Sequence, residues 1–352
     1  MIESKICFSL GILTKFIDNA LDLSYDKKTL TGFEYLVPLM EASAHNTYIE
    51  TVSNKADSLY LRCKESERIP MVKAYLNHIK RSSSKLGFDK KDVILAFDYT
   101  SEDFYGDVQG LDIHGWTGER GIKGHFKFIT CSVISDDIPE KIPLITLPIQ
   151  IGHYKSDVIL RCLSSIKGLF KEIKLILLDR GFYDKDLMYD LDDNGYPYLI
   201  FVPKSFDKKS ILYSLNKGEQ ISIYNEFTVN KDFSKYSKEH ILSFLKEIYD
   251  PKSKKSYDWV FATNVEQIIL ENLVLLYKKR WRIETQFRVQ DEAKIKCKSK
   301  DVKIRYFLFL FEQILQVIWM SFYKEELSFK RFIVEMNKQA RPYTKRLWQK
   351  NE

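Results

Sequence analysis

Closely spaced cysteines, proline- and glycine-rich stretches and an unbroken apolar run of membrane length are all missing from this sequence. Its five cysteines (Cys7, Cys63, Cys131, Cys162 and Cys297) are scattered over 352 residues and form no C-x-x-C pair. That leaves no zinc signal and no disulfide framework, and it fits a reducing compartment. Proline (9) and glycine (14) are scarce, which excludes collagen-like and low-complexity architectures and long linkers. Residues 6–13 are apolar, but Glu3 precedes them and Lys15 and Asp18 soon follow, which argues against a cleaved signal. Residues 306–323 are the most apolar in the chain, yet Glu312, Gln313 and Gln316 interrupt them. They read as a buried helix rather than a membrane span, and no membrane partner is expected. No internal repeat is evident.

What is present is a 45% hydrophobic, 14% aromatic chain, enough for a large core and one to three domains. Its basicity is concentrated. Residues 277–305 carry eleven Lys/Arg against four Asp/Glu, a surplus of seven that equals the net charge of the whole chain, +7. A polyanion is therefore the leading class of partner. At 100° per residue, Tyr277, Arg280, Glu284, Arg288 and Asp291 fall on one helical stripe, with Trp281 and Phe287 beside it. A carboxylate among arginines is either half of ordinary surface ion pairs or a metal ligand beside bound phosphates.

In chain order, residues 1–90 read as helical, with apolar spacings of three and four and a Ser-rich break near their end. They form either a plain support or a DNA-end-binding region. From residue 91 the texture becomes that of an α/β core. Residues 91–98 read as a buried strand ending in Asp98, followed by an acidic, turn-rich loop. Residues 125–134 and 142–150 are further strands. Ser156 opens a helix, residues 174–179 are another strand ending in aspartate, Asp184 caps the next helix, and a strand closes this part at residue 203. Residues 204–258 are polar and Lys-rich and read as an insertion, with strands at 220–229 and a helix at 239–249. The core resumes over 259–325 with a strand, a cap offered by Asn264 and Gln267, the helix carrying Glu284 and the buried helix. Residues 326–352 read as a basic tail.

Asp98 and Asp179 share one position type, the last residue of an apolar strand. Such an aspartate either caps the following loop or helix or contributes to a ligand site at the strand ends of an open sheet. If the two strands are neighbours, the aspartates meet at one rim, and Glu284 supplies a third carboxylate from a later helix. Hard divalent ions favour such oxygen donors and keep positions open for water and phosphate. Two ions about 4 Å apart serve phosphoryl displacement. The arginines around Glu284 would then contact the phosphate backbone. His114, His125 and His153 lack paired ligand spacing and read as structural.

These residues resemble the D-D-E transposases of prokaryotic insertion sequences, in particular the group with a Y-x2-R-x3-E-x6-K signature. Tyr277, Arg280 and Glu284 match that signature, and Asp98 in ILAFDYT and Asp179 in LILLDRGFY match the family's two aspartate motifs. FATN ahead of the glutamate helix is also similar, and the resemblance covers about residues 91–320. One departure stands out: the signature lysine position holds Asp291. Arg288, one turn earlier on the stripe, and Lys294, further round, are the nearby cations.

The resemblance implies a ribonuclease H-like mixed sheet flanked by helices, with an insertion before the glutamate helix. It implies Asp98, Asp179 and Glu284 as ligands of two Mg²⁺ (or Mn²⁺) ions that nick transposon ends, after which the freed 3′ hydroxyl attacks DNA. It implies double-stranded DNA as partner, a dimer in the DNA-bound complex, and a cytoplasmic, nucleoid-associated location. A hairpin intermediate and a flipped base are common among such relatives. Tyr277 and Arg280 would hold phosphates near that base, with Trp259 or Tyr257 as stacking partner. A host-adopted descendant that cuts DNA without mobilising itself fits the same residues. So does a non-catalytic DNA-binding protein on this scaffold, towards which Asp291 leans and against which the three carboxylates stand.

Overall fold

Among the described residues five helices precede the first strand, as the apolar spacing of residues 1–90 predicts: α1 (Ile2–Ala20), α2 (Gly32–His45), α3 (Ile49–Val52), α4 (Ala56–Glu65) and α5 (Arg68–Leu86). The structure is a computed structural model that describes residues 2–23, 31–115, 121–138, 141–231, 233–251, 253–266 and 270–351. Helix α5 runs through its serines, two of which (Ser82 and Ser83) are buried, and stops only at Gly87. That residue adopts φ 78°, where a side chain would be strained.

The core follows as β1 (Asp92–Phe104), β2 (Ile113–Gly115), β3 (Gly124–Val133), β4 (Ile142–Ile149), α6 (Lys155–Ile166), β5 (Glu172–Leu178), α7 (Lys185–Asp193) and β6 (Tyr198–Phe201). Then come α8 (Phe206–Ser214), β7 (Gln220–Lys231), β8 (Ser234–Asp250), β9 (Lys255–Thr263), α9 (Leu270–Lys278), α10 (Arg282–Gln290), α11 (Val302–Phe322) and α12 (Phe329–Asn351). Among the described residues the strands form one mixed sheet in the order β2-β3-β1-β5-β6-β9-β8-β7, with β4 also pairing β3. Strands β1, β5 and β6 are parallel, and the other pairings are antiparallel.

The two faces of the sheet bury different partners. Val93, Leu95 and Phe97 of β1, with Ile176 and Leu178 of β5, join a cluster that reaches through α11 to α1, α2 and α12. Ala96, Leu175 and Leu177 point the other way, to Leu273, Val274, Tyr277 and Ile283 of the α9–α10 segment. This is the two-residue alternation of a strand buried on both sides. The N-terminal helices thus share a continuous core with the sheet. Helix α11 is the buried helix expected from its composition, and Glu312, Gln313 and Gln316 each make at least one hydrogen bond. Glu312 accepts from the Ile295 amide at 2.7 Å, and Gln313 accepts from Thr146 at 2.9 Å. No helix among the described residues is long and apolar enough to cross a membrane.

Several local expectations are corrected. Strand β1 does not end at Asp98: residues 101–104, expected in a loop, pair with β3 through to Phe104 opposite Gly124. Only the parallel pairing with β5 stops there, at Phe97 opposite Leu178. Residues 239–249, expected as a helix, lie in β8, where the buried His240, Leu242 and Phe244 repeat every second residue between β7 and β9. Ile241, Phe244, Leu245 and Ile248 also show helical spacing, and the sheet on both edges decides between the two periods. The hairpin of the expected insertion therefore extends the central sheet.

The expected basic tail is α12, whose Phe329, Phe332, Ile333, Met336 and Ala340 are buried. Helix α6 begins after Tyr154, with Ser156 inside it, whereas Asp184 caps α7 as expected by accepting from the Asp186 and Leu187 amides. Asn264 instead ties β6 to the core, accepting from the Tyr198 amide at 3.0 Å. Gln267 lies outside the described residues.

Candidate active site

Alternation places the two aspartates before any long-range contact is considered. Asp98 follows Ala96 by two residues and Asp179 follows Leu177 by two, so both continue the face that α9–α10 covers. The Phe97–Leu178 register makes them neighbours at the carboxyl edge of the parallel strands. Asp98 Oδ1 accepts from the Tyr99 amide at 2.9 Å, and Asp179 Oδ1 accepts from the Arg180 amide at 2.6 Å at the start of a 3-10 turn, Arg180–Phe182. The rings of Tyr99 and Phe182 stack at 4.3 Å between centroids, 2° from parallel, and lock the two aspartate segments together.

The third carboxylate comes from a helix broken into pieces. A 3-10 turn, Lys279–Trp281, separates α9 from α10, and a second, Asp291–Ala293, follows α10. Tyr277, Arg280 and Glu284 still converge on the rim. The Arg280 guanidinium stands among all three carboxylates. Nη1 donates to Asp98 Oδ2 at 3.0 Å, and Nη2 lies 3.3 Å from Glu284 Oε1 and 3.9 Å from Asp179 Oδ2. Tyr277 donates its hydroxyl to Asp179 Oδ1 at 3.1 Å. Helix α10 is pinned beneath by Gln286, which accepts from Ser132 at 2.8 Å and whose carbonyl accepts from Gln316 at 3.1 Å.

Three carboxylates against one guanidinium leave an excess of negative charge. Burial pushes Asp98 up to about 6, against the pull of Arg280 and the Tyr99 amide and with added repulsion from Asp179 and Glu284. Burial also pushes the Tyr277 hydroxyl up, so it stays a donor. Glu284 is the most open of the three, with its side chain 49% exposed, whereas that of Arg280 is 5% exposed. Among the described residues no three His, Cys, Asp or Glu side chains stand close enough to hold one ion as placed. The donor set nonetheless suits a hard divalent cation. It is all carboxylate oxygen, with charge beyond what one guanidinium balances and one open side.

Tyr277 and Arg280, expected on phosphates, are buried and turned onto the carboxylates, and the other expected site residues fall outside the cluster. Trp259 is 7% exposed and packs among Phe201, Phe261 and Tyr277, as a core aromatic rather than a free stacking surface. Tyr257 is the more open of that pair. Arg288 is exposed. Asp291 pairs with Lys294 at 3.9 Å. His114, His125 and His153 serve structure: one contacts the Ile149 carbonyl, one pairs with Asp103 and one accepts from the Gln150 amide.

The positioning residues Tyr99, Phe182, Gln286 and Gln316 were not foreseen. Tyr99 and Phe182 do stand within three residues of the aspartates, and that proximity was the available signal. The glutamines carry none, because a buried and a solvated glutamine look alike in sequence.

Comparison with known proteins finds two similarities. A cryo-EM structure of the piggyBac transposase synaptic complex with hairpin DNA is similar with a TM-score of 0.55 and 12% sequence identity, over 97% of this chain and 81% of that one. The fold is thus α/β and ribonuclease H-like, a mixed sheet flanked by helices. Residues 154–322 match the family model of the transposase DDE domain, which supports a DDE transposase. Asp179 and Glu284 lie within the matched residues and Asp98 ahead of them. No curated protein matches the chain.

Proposed function

We propose that this chain is a transposase that cuts and rejoins double-stranded DNA through Asp98, Asp179 and Glu284. The observation that carries the reading is the gathering of these three carboxylates around one guanidinium at the carboxyl edge of the parallel strands. The family match and the fold support the enzyme class. The three carboxylates would hold Mg²⁺ or Mn²⁺, two ions by the family's pattern. Such ions activate an attacking oxygen and stabilise the leaving one.

The chain's own residues do the rest. The Tyr99–Phe182 stack holds the two aspartates side by side. Gln286 fixes the helix that presents Glu284. Arg280 offsets part of the cluster's negative charge in the absence of a divalent cation, and once released it offers a planar fork to a phosphate. Tyr277 keeps Asp179 oriented. Arg288, exposed one turn beyond Glu284, contacts the DNA backbone in place of the signature lysine, while Asp291 is held by Lys294. Water opens the phosphodiester and leaves a 3′ hydroxyl. That hydroxyl attacks a second phosphodiester, through a DNA hairpin in a cut-and-paste pathway and within a dimer on DNA.

The test is cleavage of transposon-end DNA by Asp98→Ala, Asp179→Ala and Glu284→Ala proteins. Each is expected to lose strand cleavage while retaining most of its DNA binding. Full cleavage by any one of them would remove that residue from the site.

A further inference from the structure

Beyond the carboxylate rim, the chain between α10 and α11 forms a comb. Residues 294–300 read K-I-K-C-K-S-K and run extended, so side chains alternate: Ile295 is buried while Lys296, Lys298 and Lys300 are exposed on the other side. This is no free loop. The Lys296 amide donates to the Thr47 carbonyl at 3.0 Å. The carbonyls of Ser299 and Cys297 accept from Arg305 at 2.7 and 2.9 Å. Lys298 Nζ sits 4.5 Å from the centroid of the Tyr48 ring and Lys296 Nζ 6.0 Å, each a cation held over an aromatic face.

The comb lines a groove of about 780 Å³ together with the end of β1 and the residues just beyond it, among them the exposed Tyr105. Carboxylates also line it: Glu102 pairs with Arg305 at 2.9 Å and Asp107 with Lys123 at 3.6 Å, while Asp103 lies 3.2 Å from the His125 ring, an ion pair only when that ring is protonated. Among the described residues, Lys296, Lys298 and Lys300 have no carboxylate within ion-pair distance. The groove therefore presents a row of uncompensated cations on a fixed backbone.

From this geometry we infer that the groove is a second DNA contact, in which Lys296, Lys298 and Lys300 grip the phosphate backbone of the duplex whose scissile bond lies at the carboxylates. Glu102 is four residues beyond Asp98 on one strand, about 13 Å. That is roughly four base pairs at 3.4 Å each, so a single duplex spans both places. The contact is to phosphates alone, so it is insensitive to sequence. The inference rests on the DNA-processing reading above, and binding and cleavage separate the two.

The experiment measures binding of the full chain to a random-sequence 30-base-pair duplex over a series of salt concentrations. The protein compared is Lys296→Ala/Lys298→Ala/Lys300→Ala, which loses the two contacts to the Tyr48 ring and whose circular dichroism spectrum is recorded alongside to establish that it is folded. Three lost phosphate contacts lower the slope of log K against log salt by about two to three, and weaken binding about a hundredfold at 0.1 M salt. Lys298→Arg keeps the parental slope. An unchanged slope in the triple variant overturns the groove and leaves the carboxylate site standing. Cleavage by Asp98→Ala overturns the carboxylate site and leaves the groove standing. Lysine-dependent binding of double-stranded RNA but not of the DNA duplex overturns the assignment to DNA.

Discussion

Two buried arginines, Arg280 and Arg305, sit in opposite electrostatic situations. Arg305 is matched: Nε and Nη2 donate to two backbone carbonyls, Nη1 to Glu102, and the Phe126 ring lies 4.5 Å from its guanidinium. One buried cation faces one largely buried anion, and each of its three nitrogens donates. Arg280 faces three carboxylates at 3.0, 3.3 and 3.9 Å, and its Nε has no hydrogen-bond partner. A balanced buried pair is architecture. An unbalanced one leaves a surplus of negative charge that the low-dielectric interior penalises.

The largest expected effect tests the balanced arginine. Arg305→Leu strands Glu102, which burial already pushes upward and which Arg305 holds down, and frees the backbone of the lysine comb. A loss of about 3–5 kcal/mol in denaturant unfolding is expected, with no recovery when Mg²⁺ is added. The unbalanced arginine should answer differently. Arg280→Met leaves only Asp98 stranded in burial, since Asp179 and Glu284 are partly open; it is expected to cost about 1–3 kcal/mol without divalent ions, and millimolar Mn²⁺ should restore much of the lost melting temperature by binding only the folded state. If metal does not narrow the gap between variant and parent, Arg280 is a structural pair like Arg305 and the contrast collapses.

A third buried basic side chain sharpens the comparison from the neutral side. His240 on β8 is 2% exposed, has no hydrogen-bond partner on either ring nitrogen and packs on Phe227 at 5.0 Å between centroids. Burial, with Lys208 and Lys185 nearby, lowers its pKa to about 4. The folded value lies below the unfolded one, about 6.5. Its stabilising contribution is therefore complete above pH 6.5 and lost as pH falls towards 4. Between pH 7 and pH 5 the parent should lose roughly 1–2 kcal/mol from this group. His240→Phe should flatten that part of the pH–stability curve, and a curve of unchanged shape would remove His240 from the account.

Much of the candidate site's placement was legible in sequence because it rests on short-range periodicity. Two apolar strands each reach an aspartate, and alternation alone sets both on one face. The i, i+3, i+7 spacing of Tyr277, Arg280 and Glu284 survives the 3-10 turn between α9 and α10 because that turn tightens the helix without reversing its face. Residues 239–249 were misread because their apolar residues satisfy both the helical and the strand period. Trp259 was read as a possible stacking surface because an aromatic at a strand edge carries no mark of which neighbours will cover it. Phe201, Phe261 and Tyr277 cover it here.

The sequence by itself determined the strand–helix order of the core, the run of basic charge over residues 277–305, and the three carboxylates at ends of apolar or amphipathic elements. These are local properties, written in spacing and composition within one or two turns. Only the tertiary structure decided that Asp98 and Asp179 are neighbours in register, that Arg280 faces inward onto carboxylates rather than outward, and that the residues 220–250 hairpin extends the central sheet. It also decided that Lys296, Lys298 and Lys300 line a groove on a backbone held by Arg305. Each of these depends on pairing between segments far apart in the chain. There the free energy of burying a charge or pairing a strand edge is set by neighbours that no local window contains.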